Sequence, residues 1–142
     1  MELCQRSNLV EVLEMISGVA KVGIATEDQA RAREFWVEKM GFEVVTDLPY
    51  HDDFKWLELT PPDHSLLLVI GSRQAQTGDV SDIPDVLPTS NVWFACDDLH
   101  KTYAELTARG VEFSQEPKEF PFGWWSVFKD PDGNRYALVP RG

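Results

Sequence analysis

The chain has 142 residues, with 13 Lys and Arg against 24 Asp and Glu and a net charge of −11. That length suits one ordinary domain or two half-size modules sharing a core. The acidic balance argues against a nucleic-acid partner, whose phosphates attract basic patches, and it would draw in a cationic ligand.

Hydrophobic residues at 43% and charged residues at 26% fit a soluble globular protein. No apolar run approaches the roughly 20 residues of a membrane span. No basic-then-apolar leader opens the chain, and Cys4 and Cys96 form no CxxC pair. A cytoplasmic protein with no membrane partner is the expectation.

Residues 1–18 are read as an N-terminal extension. Leu9, Val10, Leu13 and Ile16 have roughly helical spacing, with Ser7 or Asn8 as a cap; alternatively translation starts at Met15 and the preceding residues are poorly ordered. Residues 19–26 read as a strand. Glu27-Asp28 then opens a helix over 29–40, with Ala32, Phe35, Trp36 and Met40 on one face and Gly41 as its stop. Residues 42–46 form a second strand, and 47–54 a polar loop holding Tyr50, His51, Asp52 and Asp53. Strands over 56–60 and 66–70 follow, separated by the Pro61-Pro62-Asp63-His64 turn. Residues 19–71 are thus a βαβββ module. Residues 72–89 have a linker's composition, with glycine, serine, glutamine, acids and prolines.

Residues 90–142 repeat the pattern. A strand over 91–96 leads to Asp97-Asp98 and a helix with Leu99, Tyr103 and Leu106 on its face, ending near Gly110. A strand over 111–114 follows, then strands over 124–128 and 136–139 around the turn Asp130-Pro131-Asp132-Gly133-Asn134. Lys21 overlays Asn91 and Gly41 overlays Gly110, a duplication with a period of about 70 residues, too long for a solenoid. The expected architecture is α+β: two tandem βαβββ modules forming a curled mixed sheet around a cleft, with helices on the outside.

Alternation along the strands places Val22, Ile24 and Val92 toward the helices. It places Lys21, Gly23 and Ala25, with Asn91, Trp93 and Ala95, on the open face. In the last strands, Leu66, Leu68 and Ile70 are assigned to the open face with Arg135, Ala137 and Val139.

Trp56, Trp93, Trp124 and Trp125, with Phe122 and Tyr50, exceed what a small core needs and offer stacking surface for a planar or cationic ligand. Trp124 and Trp125 fall on opposite faces, so at least one lines the cleft. His51, His64 and His100 lack ligand spacing, and no Ser-His-Asp pattern is visible. Cys96 falls on the helix-packing face. Glu58 and Lys21 are the candidates for acid–base chemistry.

The duplicated pattern with "TEDQARAREFWVEKMGFEVV", "WLELTPP", "DDLHKTYAELTARGVEF" and "VFKDPDGNRYALV" resembles the glyoxalase/bleomycin-resistance/dioxygenase group, the vicinal-oxygen-chelate superfamily, over residues 19–141. Metal-dependent members hold a divalent ion through a His or Gln in the first strand of each module and a Glu in the last. Carried onto this chain, those positions fall on Lys21, Leu68, Asn91 and Ala137. Leucine and alanine have no donor atom, and a lysine ammonium offers protons rather than a lone pair. The resemblance therefore implies the metal-free branch, similar to antibiotic-binding resistance proteins: homodimers that hold a small molecule without chemical change. No metal and no cofactor are expected. The cleft candidates are Lys21, Tyr50, Trp56, Glu58, Asn91, Trp93, Phe122, Trp124, Trp125 and Ala137. A lyase, isomerase or dioxygenase with a non-standard site is the alternative.

Overall fold

Each module begins its helix on an aspartate. The computed structural model describes residues 15–51, 54–72 and 83–141. Asp28, extended at φ −141°, accepts the Arg31 N–H at 3.0 Å and caps α1 (Gln29–Glu34). Asp98, at φ −130°, accepts the Lys101 N–H at 3.1 Å and caps α2 (Leu99–Ala108). α1 continues into a π-helical stretch, Phe35–Lys39, where the Met40 N–H reaches back to the Phe35 carbonyl at 3.1 Å. Phe35 and Trp36, adjacent in sequence, are both buried there. Gly41, at φ +80°, and Gly110, at φ +92°, end the two helical segments in the left-handed region open to glycine.

The strands are β1 (Lys21–Ala25), β2 (Glu43–His51), β3 (Phe54–Thr60), β4 (Leu67–Ser72), β5 (Trp93–Cys96), β6 (Glu112–Phe120), β7 (Gly123–Lys129) and β8 (Arg135–Pro140). They form two four-stranded mixed sheets, β1-β4-β3-β2 and β5-β8-β7-β6. In each, the first strand pairs parallel with the last and the other pairs are antiparallel. The matching strand orders bear out the two βαβββ modules. They are hydrogen-bonded as two sheets rather than one continuous one.

A single core joins the modules. Ile24, Leu57, Leu59, Leu68 and Ile70 from the first sheet cluster with Phe128, Tyr136 and Leu138 from the second. Trp36, fully buried, touches Phe42 and also Phe94, Phe128 and Tyr136 across the module boundary, at ring-centroid distances of 5.3–6.2 Å. Both sheets thus turn their helix-packed faces to a common interior. Their other faces, called open below, turn away from that interior.

Three sequence expectations change. The polar loop over 47–54 is largely strand: β2 runs to His51, with irregularities in its pairing near Val45 and Tyr50. Asp47 there lies against Arg33 and Lys55, at 3.6 and 3.7 Å, so the segment's polarity reflects surface ion pairs and not a loop. β6 likewise extends to Phe120, well past residue 114. Leu68 and Ile70 are core residues, and Leu66 packs against the core, so the open face of β4 carries Leu67 and Val69 instead. The helical segment expected before residue 15 and the Asp52-Asp53 pair lie outside the described residues.

The turn over 130–134 is also a clasp between modules. Asp130 accepts the backbone N–H groups of Asp132 and Asn134 at 2.9 and 3.0 Å, the Asn134 amide at 3.0 Å and the Tyr136 hydroxyl at 2.7 Å. Burial pushes the Asp130 carboxyl up, and the Tyr136 and Asn134 donors work against that. Burial above all, with the neighbouring Asp130 charge, keeps the Tyr136 phenol protonated. Asp132 reaches across to module one. It accepts the Thr26 hydroxyl at 2.7 Å, the Glu27 N–H at 3.0 Å and the Arg31 guanidinium at 3.1 Å. Asn134 adds a bond to the Ala25 carbonyl at 3.1 Å.

Candidate functional site

The open face of module one is built by register. Thr46 lies opposite Glu58, Glu58 opposite Val69, and Val69 opposite Gly23, so alternation gathers Thr46, Glu58, Val69 and Lys21 on one side. Glu58 is buried, yet it stands on this face. Its carboxylate pairs with the Lys21 ammonium and accepts from it. That bond, then the Thr46 hydroxyl and the Trp56 indole N–H, hold the Glu58 carboxyl below its ordinary value against the opposing effect of burial. The Lys21 nitrogen also lies 5.5 Å from the Trp56 ring centroid. Leu48 stands across from Trp56, and both are exposed.

The open face of module two is aromatic. Trp93 and Trp125 meet edge to face with centroids 5.0 Å apart. Phe120 and Phe122 stack at 5.7 Å, and each lies near Trp125, at 5.2 and 4.9 Å. Trp93 is 53% exposed and Phe122 69%, whereas Trp125 is buried beneath them. Among the described residues the Trp125 indole N–H has no hydrogen-bond partner. Ala137 pairs with Trp93 on one side and Val127 on the other, and it is buried in the floor. At one end the buried Arg135 bonds Asp85 at 3.1 Å and the Ile83 carbonyl at 3.2 Å, which closes the face with residues 83–85.

The sequence-derived candidates thus divide into two groups. Lys21, Trp56 and Glu58 come together on one face. Trp93, Phe122, Trp125 and Ala137 come together on the other. Asn91 is exposed just before β5. Trp124 stands on the opposite side of its sheet, against His100 of α2 at 5.1 Å, and does not join the aromatic group. Tyr50 lies in β2, with its side chain outside the described set. The two groups thus occupy separate sheets, Lys21, Trp56 and Glu58 on the first and Trp93, Trp125 and Ala137 on the second, with Phe122 in the turn before β7.

Sequence reading missed Thr46, Phe120 and Val69. The first two lay within reach, because extending the β2–β3 and β6–β7 hairpins by alternation brings them onto these faces. The register shows that Val69, not Leu68, is the counterpart of Ala137: Gly23 pairs with Val69 as Trp93 pairs with Ala137. Leu68 is removed from the site by that one-residue shift, which inverts every side chain of the strand. Among the described residues no three His, Cys, Asp or Glu side chains gather as a metal site would require. Cys96 is half-buried against the core, and burial first of all pushes its thiol up, away from a reactive thiolate. No helix among the described residues is long and apolar enough to cross a membrane.

Comparisons with known proteins agree with this architecture. A Bacillus subtilis (strain 168) protein of uncharacterised function, YetH, is 34% identical over 124 residues, covering 87% of this chain and 98% of its own. A crystal structure of a superfamily member from Sphaerobacter thermophilus DSM 20745 superposes with a TM-score of 0.75 at 28% identity, covering 89% of this chain and 99% of the other. TnmS3, an antibiotic binding protein from Streptomyces sp. CB03234, superposes with a TM-score of 0.71 at 30% identity, covering 90% and 98%. The family model for the Glyoxalase/Bleomycin resistance protein/Dioxygenase superfamily matches residues 18–138, and the chain belongs to that superfamily.

Proposed function

We propose that the chain binds a planar small molecule on its aromatic face without a metal ion, with sequestration of an antibiotic as its role. The observation that carries this is the cluster of Trp93, Phe120, Phe122 and Trp125, which leaves two rings exposed over a buried indole with a free N–H. Exposed rings in one patch are costly to leave in water and suit a flat partner. The exposed Trp93 and Phe122 rings supply the stacking area, and the buried Trp125 ring beneath them fixes their placement.

The positions equivalent to the superfamily's metal ligands are Lys21, Val69, Asn91 and Ala137. A protonated amine and two alkyl groups do not fit a divalent ion. The likeness to an antibiotic binding protein supports the biological role.

The working form is a homodimer in the cytoplasm. Each open face carries exposed apolar side chains, Leu48 and Trp56 on one and Trp93 and Phe122 on the other. A second copy would cover what a single chain cannot, and would bring the two groups of residues into one cleft. Calorimetric titration of chelator-treated protein with a panel of planar drugs tests the reading. Saturable binding supports it. No binding across the panel, or binding that returns only with added metal, sinks it.

A further inference from the structure

Glu58 is a buried carboxylate on the open face of β3, and its partner is an ammonium that remains 44% exposed as a side chain. A buried charge needs partners, and Glu58 takes three: Lys21, Thr46 and Trp56. The result for Lys21 is the less usual part. A free lysine on a strand sweeps a wide volume, but this one is tied at its tip to a buried anchor and lies near the Trp56 ring. An ammonium has three donors, and Glu58 accepts one of them. We infer that Lys21 is a fixed anion anchor: it takes an acidic oxygen, a carboxylate or phenolate, of a planar ligand whose ring lies on the Trp56 and Leu48 side of the face. This rests on the reading of the open faces as binding surfaces and adds the chemistry of the ligand's polar end.

The same geometry works against the opposite preference. Glu58 already has its counter-ion, so a ligand cation would have to displace Lys21 to reach it, exposing the ammonium of one pair to form another. The net charge of −11 does not reverse this. Exposed charges are screened beyond about 8 Å at physiological salt, whereas the Lys21–Glu58 dipole acts at contact with its positive end outward. On this proposal the face favours an oxyanion over the cationic ligand expected from composition.

Three probes on one naphthalene ring test the inference by calorimetry: 2-naphthoate, its neutral isostere 2-naphthamide and the cationic 2-naphthylmethylammonium. The expected order is naphthoate about tenfold tighter than the amide, in line with one charge-assisted hydrogen bond, and the ammonium weakest. The double variant Lys21→Met with Glu58→Gln removes both charges together, so no carboxylate is left buried and unpaired. It is expected to keep its fold by circular dichroism and to bind naphthoate and naphthamide equally. An amide or ammonium that matches naphthoate on the native protein, or a naphthoate preference that survives in the double variant, overturns the anchor. If all three probes bind equally and Trp93→Ala with Phe122→Ala weakens them, the aromatic reading stands and only the anchor falls. If neither the probes nor the drug panel binds, both fall.

Discussion

Glu58 ties structure to pH at the level of a single side chain. Its folded pKa lies below the ordinary 4.5, chiefly through the hydrogen bond from Lys21. An acid depressed in this way contributes stability that is fully present above its unfolded pKa and is lost as pH falls through the folded one. Urea unfolding of the native protein and of Glu58→Gln should therefore differ by a constant amount at neutral pH. The gap should close as pH drops past 4.5. A gap that is independent of pH would mean that the carboxylate is not held in its charged form. Trp125 is the other informative residue. Its neighbour Trp124 looks equivalent in sequence, and only the strand's phase separates a ring in the aromatic cluster from one against His100. Sequence stated that the two must part, and it could not say which went where.

At the level of elements, the strand β3 was legible because its residues alternate. Trp56, Glu58 and Thr60 fall on one side, with Leu57 and Leu59 in the core on the other. The last strand of module one was not legible, because Leu66 to Ile70 is apolar throughout and gives no phase. Pairing supplies it, through Gly23 opposite Val69. The length of β2 was hidden for a related reason: Asp47 is satisfied by Arg33 and Lys55 on a neighbouring helix and strand, which no local pattern reveals. The turn over 130–134 was read correctly as a turn, but its role as an inter-module clasp depends on partners about a hundred residues away. Asp132 carries most of that clasp, with a nearly buried side chain bonding Thr26, Glu27 and Arg31. Asp132→Ala should cost about 2–3 kcal/mol in denaturant unfolding, as expected when a buried acceptor leaves donors unmet. Arg31→Ala, at a partner 47% exposed, should cost under about 1 kcal/mol. Equal losses for the two would show that Asp132 serves only the exposed ion pair.

The whole molecule is held by one core that belongs to neither module alone. Trp36 starts in the helical segment of the first and packs on Phe94, Phe128 and Tyr136 of the second. Its replacement by alanine should cost about 3–5 kcal/mol and leave a single unfolding transition. Two separated transitions would contradict the shared core. Because that core occupies the helix side of both sheets, each module presents its other face outward, one with a paired lysine and glutamate and one with four rings. That division motivates the proposal that two copies hold a ligand between their faces.

The most direct test is calorimetric titration of chelator-stripped protein with the planar drug panel, alongside the Trp93→Ala, Phe122→Ala double variant. Both side chains are exposed, so the variant should fold as the native protein does. The expected result is saturable, metal-independent binding to the native protein, weakened at least about tenfold in the variant through the loss of two stacking rings. Binding of equal strength in both proteins, or binding restored only by a divalent metal, would contradict the account.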